Sequence, residues 1–438
     1  MLKRKMLEYL KNWKDSTKNE CLVIKGARQV GKTYIIREFG KSYKHFIEIN
    51  FILNKELEKA FNGDLDVDSI LMSLSSKIKE LKFVPYETLI FFDEIQACPN
   101  ARVALKSFAI DGRYDVIASG SLLGLSYGQD IEIKQQISSI AVGYEKEIEM
   151  LPMDFEEFLW AIGLDENVIQ SLEEYIDGKK KIPEAINDSM NNYLRQYLVV
   201  GGMPAVVNKF VNKKNYSLVY DEQIKLLNAY EDDVMKHATN TEKNKIKNCY
   251  NSLPRQLSKE NKKFQYSIIE KKSTSKKYKN SLLWLSDVGL INLCYNVTTP
   301  EFPLLAYEED DYFKAYLNDT GLLTAMYGFD MKGAILEKKL VGAMKGGIYE
   351  NLIANMLINN GYDLHFYKPK ENDQEIEFVI SKNANIIPIE VKSRNGKTES
   401  LNEYIKKYKP SITYKFIDGN TGNVDNKITL PHYMAMFI

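Results

Sequence analysis

Short apolar runs alternate with amphipathic stretches over the first 150 residues, the pattern of a parallel sheet flanked by helices. Strands are expected at Cys21–Lys25, His45–Asn50, Thr88–Phe92 and Asp115–Ala118, with helices between them such as Lys32–Phe39 and Val67–Ile78. From Phe155 the pattern turns helical, and the polar Lys179, Lys180 and Lys181 interrupt it as a surface loop. A second helical region spans Ser189 to Glu242. Residues 243–327 then read as three short helices followed by strand-like pieces at Gly289–Tyr295 and Tyr312–Asn318. From Gly347 the order is helix, three strands, helix and strand. No internal repeat or low-complexity linker is visible.

A chain of 438 residues is too long for one ordinary core. The pattern divides it into 1–160, 161–242, 243–330 and 331–438. Hydrophobic residues are 44% and charged residues 27%, the balance of a folded globular protein. Lysine plus arginine equals aspartate plus glutamate at 59 each, so net charge points to neither nucleic acid nor membrane. Four scattered cysteines and four scattered histidines show no zinc spacing, and such sparse cysteines suit a reducing cytoplasm. No apolar run approaches the roughly 20 residues of a membrane span, and Met1–Lys14 has no signal-peptide core. A cytoplasmic protein is expected.

The sharpest chemistry lies in Gly26-Ala27-Arg28-Gln29-Val30-Gly31-Lys32-Thr33, which matches GxxxxGK[ST] at every fixed position. It follows an apolar strand and opens a helix. Backbone N–H groups there can wrap a phosphate, with Lys32 on the β- and γ-phosphates of ATP and Thr33 on Mg2+. Sixty residues on, Leu89-Ile-Phe-Phe-Asp93-Glu94 is a buried strand ending in two carboxylates. Asp93 can hold the magnesium ion and Glu94 can polarise the attacking water. A third strand ends in Ser119-Gly120-Ser121, where a hydroxyl either touches the γ-phosphate or the attacking water, or merely forms a turn. An arginine to stabilise the transition state is expected among Arg28, Arg102, Arg113, Arg195 and Arg255, acting within the chain or across a homo-oligomer boundary.

Further on, Glu350 lies near the start of an amphipathic helix. Glu375-Ile-Glu377-Phe-Val-Ile380 is a strand with acids on one face, and Glu390 and Lys392 share a face of the next. Glu350, Glu377 and Glu390 can converge on one magnesium ion with Lys392 orienting water or stabilising a phosphorane-like charge, or the four can form surface pairs or a dead site. Between Lys259 and Lys279 there are eight lysines (259, 262, 263, 271, 272, 276, 277 and 279), a DNA-phosphate surface or a plain solvated face.

The P-loop, the Asp93-Glu94 strand end and the Ala118–Ser121 strand end occur in one order with three further segments. These are Leu151-Pro-Met-Asp-Phe-Glu-Glu-Phe158, Tyr197-Leu-Val-Val-Gly-Gly-Met-Pro204 and Tyr316-Leu-Asn-Asp-Thr-Gly-Leu322. Together they resemble the bacterial and archaeal AAA-type ATPases that carry a C-terminal domain of unknown function. The resemblance covers nearly the whole chain and implies an α/β P-loop NTPase core, a helical region, a winged-helix-like domain and a restriction-endonuclease-like α/β domain of the PD-(D/E)xK kind. It also implies a sensor role for Ser119. Within the winged-helix reading, Ser273–Asp287 would be the recognition helix. One departure stands out: Glu377 occupies a position usually held by aspartate. Two functions are expected to compete. One is an ATPase that binds or remodels DNA; the other is a nucleotide-gated switch that docks a protein partner.

Overall fold

A computed structural model describes residues 2–16, 20–78, 81–121, 143–238, 241–370, 374–392 and 398–438. These form two compact units, residues 3–151 with 287–289, and residues 152–286 with 290–438.

In the first unit, helix α1 (Lys5–Asp15) precedes β1 (Cys21–Gly26), α2 (Lys32–Gly40), β2 (His45–Asn50), α3 (Val67–Lys77), β3 (Thr88–Asp93), α4 (Pro99–Asp111), β4 (Asp115–Ser121) and β5 (Glu145–Glu149). All five strands run parallel, in the order β2-β3-β4-β1-β5. β3 is buried at every position, as a continuous apolar run in a parallel sheet requires. Phe92 contacts the rings of Phe51, Phe61 and Phe108 at centroid separations of 5.8, 5.6 and 5.7 Å, which locks β3 to its neighbours. The expected strands and helices lie where the apolar periodicity puts them. β5 was not expected, because Glu145-Lys-Glu-Ile-Glu149 has no apolar run. It is held as an edge strand by pairing to β1 and by Arg102 and Lys25, which take up Glu145 and Glu147.

A parallel sheet brings every strand's carboxyl end to one edge, the usual place for a ligand in such folds. That edge here carries Gly26, Asn50, Asp93 and Ser121. β4 lies between the P-loop strand and β3, with Ile24 opposite Ser119 and Phe92 opposite Ala118. Ser119 is thereby set on the strand between the P-loop strand and the strand that ends in Asp93.

The second unit begins with α5 (Phe155–Ala161), α6 (Glu166–Ser171), α7 (Glu184–Val200), α8 (Pro204–Lys213), α9 (Tyr216–His237), α10 (Lys243–Leu257), α11 (Tyr266–Ile269) and α12 (Ser275–Asp287). The hairpin β6 (Ile291–Val297) and β7 (Glu308–Leu317) follows, then α13 (Thr320–Met326), α14 (Asp330–Leu336) and α15 (Gly342–Asn359). The rest is β8 (His365–Tyr367), β9 (Ile376–Lys382), β10 (Asn385–Val391), α16 (Glu399–Tyr408), β11 (Thr413–Ile417), β12 (Gly422–Val424) and β13 (Lys427–Pro431). These strands make one mixed sheet, ordered β12-β13-β11-β10-β9-β8-β6-β7.

Three helices followed by a hairpin is the element order expected of residues 243–330. The hairpin, however, joins the later strands through β6–β8 pairing at Tyr295–His365, so the expected boundary at 330/331 falls within a single sheet. The last two strands add a hairpin beyond the expected order. Its two-residue turn, Asp425-Asn426, has φ of 49° and 65°, the left-handed pair that suits a tight hairpin.

The family-specific segments meet in this unit. Asp319 accepts the Gly202 N–H at 2.5 Å and the Leu322 N–H at 2.7 Å, and Thr324 donates to the Leu198 carbonyl at 2.9 Å. Tyr197 donates to the Met153 carbonyl at 2.7 Å, whose own N–H bonds to Gly202. A Cβ at Gly202 would lie 1.9 Å from that Met153 oxygen, so only glycine fits. These motifs interlock three segments of backbone.

Candidate functional site

The P-loop is shaped by two glycines. Gly31 takes φ 98° just before α2, and Gly26 lies so close to Met150 that a Cβ would meet its carbonyl at 2.3 Å. Lys32 donates to the Gly26 and Ala27 carbonyls at 2.8 and 2.9 Å, which curls its side chain over the loop. Burial, against the pull of Glu94 and Asp93, pushes the Lys32 ammonium down to about 8. Arg4, buried ahead of α1, braces the loop by donating to the Val30 carbonyl at 2.9 Å and the Leu151 carbonyl at 2.8 Å.

Asp93 is the hub. Its carboxylate accepts from Thr33 Oγ1 at 3.3 Å, from Ser119 Oγ at 2.5 Å and from Asn50 Nδ2 at 2.9 Å, and it is buried. The expected Thr33, Asp93 and Ser119 thus come together. Ser119 directs its hydroxyl to Asp93, and Ser121 pairs with Gly26 along the backbone. Glu94 follows with φ 55° and ψ 47°, a left-handed conformation that a glutamate rarely adopts. Its carboxylate accepts from Gln96 Nε2 at 2.5 Å.

Residues 18–159 match the family model described as an AAA domain. Over most of its length the first unit is thus similar to AAA domains. Residues 191–333 and 345–429 match two models, each described as a domain of unknown function, DUF8612 and DUF4143. Among solved structures, a Walker-type ATPase of Pyrococcus abyssi is 14% identical, with 75% of this chain and 96% of that one covered, at a TM-score of 0.43. AMPPCP-bound DnaA from Aquifex aeolicus is 11% identical over 64% of this chain and 86% of its own, at 0.28. A DNA replication initiation factor is 15% identical over 62% and 81%, at 0.23. TM-scores this low do not define the fold of the whole chain. No curated protein matches.

Within the first unit, two of the candidate arginines are otherwise engaged. Arg102 is held by Glu145 and Glu147 at 2.7 and 2.6 Å. Arg113 is held by Asp68 and Asp111 at 2.7 Å each, and it precedes β4, at the sheet edge opposite Asp93. Both act as structural cations. Arg28 lies in the loop itself, while Arg195 and Arg255 belong to the second unit. Three functional candidates escaped the sequence: Asn50, Gln96 and Arg4. Asn50 is opposite Asp93 in the β2–β3 register, a polar strand end like the one that marked Ser119. Arg4 gave no signal.

In the second unit, Glu350, Glu377 and Lys392 line a cavity of about 780 Å³ together with Lys262, Lys368 and His432. Glu350 pairs with Lys262 at 2.9 Å and Lys314 at 3.5 Å. Burial raises its carboxyl, but the two lysines outweigh burial and hold it below the ordinary range. Glu377 pairs with Lys392 and accepts the Val391 N–H at 3.3 Å. Glu390 is fully buried 3.5 Å from Lys392, with neither oxygen hydrogen-bonded. Burial and then Glu377 push its carboxyl up to about 7. Among the described residues, no group of three or more His, Cys, Asp or Glu side chains is arranged to hold a metal ion.

The lysine run is divided. Lys262 is buried against Glu350, so it is not the exposed phosphate contact expected of it. Lys263 lies over the Tyr312 ring, Lys277 pairs with Glu270, and Lys279 with Asp311. Lys259, Lys271, Lys272 and Lys276 remain exposed. No helix among the described residues is long and apolar enough to cross a membrane.

Proposed function

We propose that this protein is a magnesium-dependent ATPase that couples conversion of ATP to ADP and phosphate to DNA binding or remodelling in the cytoplasm. The observation that carries the reading is the meeting of Lys32, Thr33, Asp93 and Ser119 at one sheet edge. Backbone N–H groups of Gly26–Thr33 and the Lys32 ammonium would hold the β- and γ-phosphates, whose charge would offset the burial of Lys32. Thr33 and Asp93 supply hard oxygen atoms of the kind magnesium takes. The ion, when bound, neutralises charge on the phosphates. Glu94 orients and polarises the attacking water, and Ser119 and Asn50 hold Asp93 in place. Residues 243–330 serve as a winged-helix-like arm, with exposed Lys259, Lys271, Lys272 and Lys276 on DNA phosphates. Residues 331–438 serve as a nuclease-like domain.

One observation favours the second reading, a nucleotide-gated switch that docks a protein. Half of the lysine run is already engaged: Lys262 inside the fold, Lys263 over an aromatic ring, and Lys277 and Lys279 in surface ion pairs. ATP turnover of the purified chain, with and without magnesium and duplex DNA at low salt, separates the two. The DNA-coupled reading requires magnesium-dependent turnover that DNA alters, and DNA binding that weakens steeply with salt. Slow turnover indifferent to DNA, with no DNA bound, refutes it in favour of the switch.

A further inference from the structure

Magnesium needs near-octahedral oxygen ligands at about 2.0–2.1 Å, so acids that hold it must present free lone pairs to a common point. Glu350 and Glu377 in the second-unit cavity do not, and Glu390, whose oxygens accept no hydrogen bond, is fully buried outside the cavity lining, 3.5 Å from Lys392. Both oxygens of Glu350 are engaged, one by Lys262 at 2.9 Å, the other by Lys314 at 3.5 Å and the Tyr316 hydroxyl at 3.2 Å. Both oxygens of Glu377 are engaged as well, by Lys392 and the Val391 N–H. The methylene that distinguishes Glu377 from the usual aspartate gives the carboxylate more reach toward these two donors. Beside them, Glu375 pairs with Lys314 at 2.6 Å and lies 4.0 Å from Lys368. Glu350, Glu375, Glu377 and Glu390 therefore face Lys262, Lys314, Lys368 and Lys392, four acids against four ammonium groups.

A divalent ion entering this set would have to break buried ion pairs and sit among ammonium groups that repel it. Lys262 comes from the loop after α10 and Lys314 from β7, both far in sequence from the acids they hold. We propose that this cavity is a metal-free site, in which the ammonium groups of Lys262 and Lys392 stand where a divalent cation would otherwise join Glu350 and Glu377. The proposal rests on the nuclease-like reading of residues 331–438. Its consequence is that a phosphodiester reaching this cavity meets no metal-activated water to cleave it.

The test is a Mn2+ titration of the full chain without nucleotide, followed by electron paramagnetic resonance, in a Thr33→Ala background that removes a P-loop metal ligand. The expected result is that the free-ion signal tracks added Mn2+, with no submillimolar site. One ion bound per chain in that range, and lost in Glu377→Gln, overturns the proposal. Broadening of the His432 ring protons by Mn2+ in the Thr33→Ala chain asks the same question without altering the cavity: unbroadened signals support the metal-free site, and selective broadening overturns it. ATP turnover and its response to DNA are read separately. Failure here therefore leaves the ATPase reading standing, and failure of DNA coupling leaves this result standing.

Discussion

Ser119→Ala separates two roles for the hydroxyl that closes β4. In the structure Ser119 Oγ donates to Asp93 Oδ1 at 2.5 Å, and Thr33 and Asn50 supply the other donors to the same carboxylate. A hydrogen bond to a charged acceptor contributes about 1.5–3 kcal/mol, or roughly 10- to 150-fold. Because two donors remain on Asp93, the low end applies. Ser119→Ala should therefore raise the magnesium concentration that ATP hydrolysis requires by about 10-fold, with turnover recovering at high magnesium. Ser119→Thr, which keeps the hydroxyl, should stay close to the native chain. The assay is steady-state phosphate release against magnesium concentration at saturating ATP. A drop in kcat that magnesium cannot restore, with the magnesium midpoint unmoved, would place the hydroxyl on the γ-phosphate and refute the bracing of Asp93.

Other consequences are measurable by similar means. Lys32→Ala should abolish measurable nucleotide binding by calorimetry, since it removes the side chain that caps the loop. Glu94→Gln should leave nucleotide affinity intact and slow hydrolysis by about 10²–10⁴-fold, the usual worth of a general base; turnover at the native rate would remove that role. Asp319→Ala should destabilise the second unit by about 2–4 kcal/mol in denaturant unfolding, because it strips α13 of its cap and leaves the buried Gly202 N–H unpaired. Burial lowers the Lys332 ammonium to about 7, against the pull of Asp319, and raises the Asp319 carboxyl to about 6. In the pH 7–10 window the unfolded chain binds the extra proton at Lys332, so stability should rise with pH there; between about 4 and 6 the folded chain keeps the proton on Asp319, so stability should fall as pH rises. Lys332→Met should erase the alkaline rise in thermal unfolding, and a rise that persists would assign it to another group.

The first unit was legible because its information is local. An apolar strand, a glycine-rich turn and a lysine at the head of a helix are contiguous in the chain, and Asp93 and Ser119 are marked by their places at strand ends. Asn50 carried the same mark but gains meaning only once β2 is known to lie beside β3 in that register. β5 stayed hidden because its stability comes from Arg102 and Lys25, not from apolar alternation. Arg4 reaches the P-loop across 26 residues of sequence, with no pattern to announce it.

The second unit shows why residue type and spacing are a weaker guide to chemistry than to fold. Glu350, Glu377, Glu390 and Lys392 do gather on one helix and two adjacent strands, as their periodicity implies. What an acid does there depends on the charge it faces, and that charge comes from elsewhere in the chain. Lys262 precedes its partner Glu350 by 88 residues and Lys314 precedes it by 36, within segments whose own patterns suggest DNA contacts and a plain strand. At the P-loop the reverse holds. There the donors to Asp93 are a threonine, a serine and an asparagine, all neutral. Two clusters of acidic residues on strands in one chain thus differ in whether the groups that donate to their carboxylates are neutral or cationic.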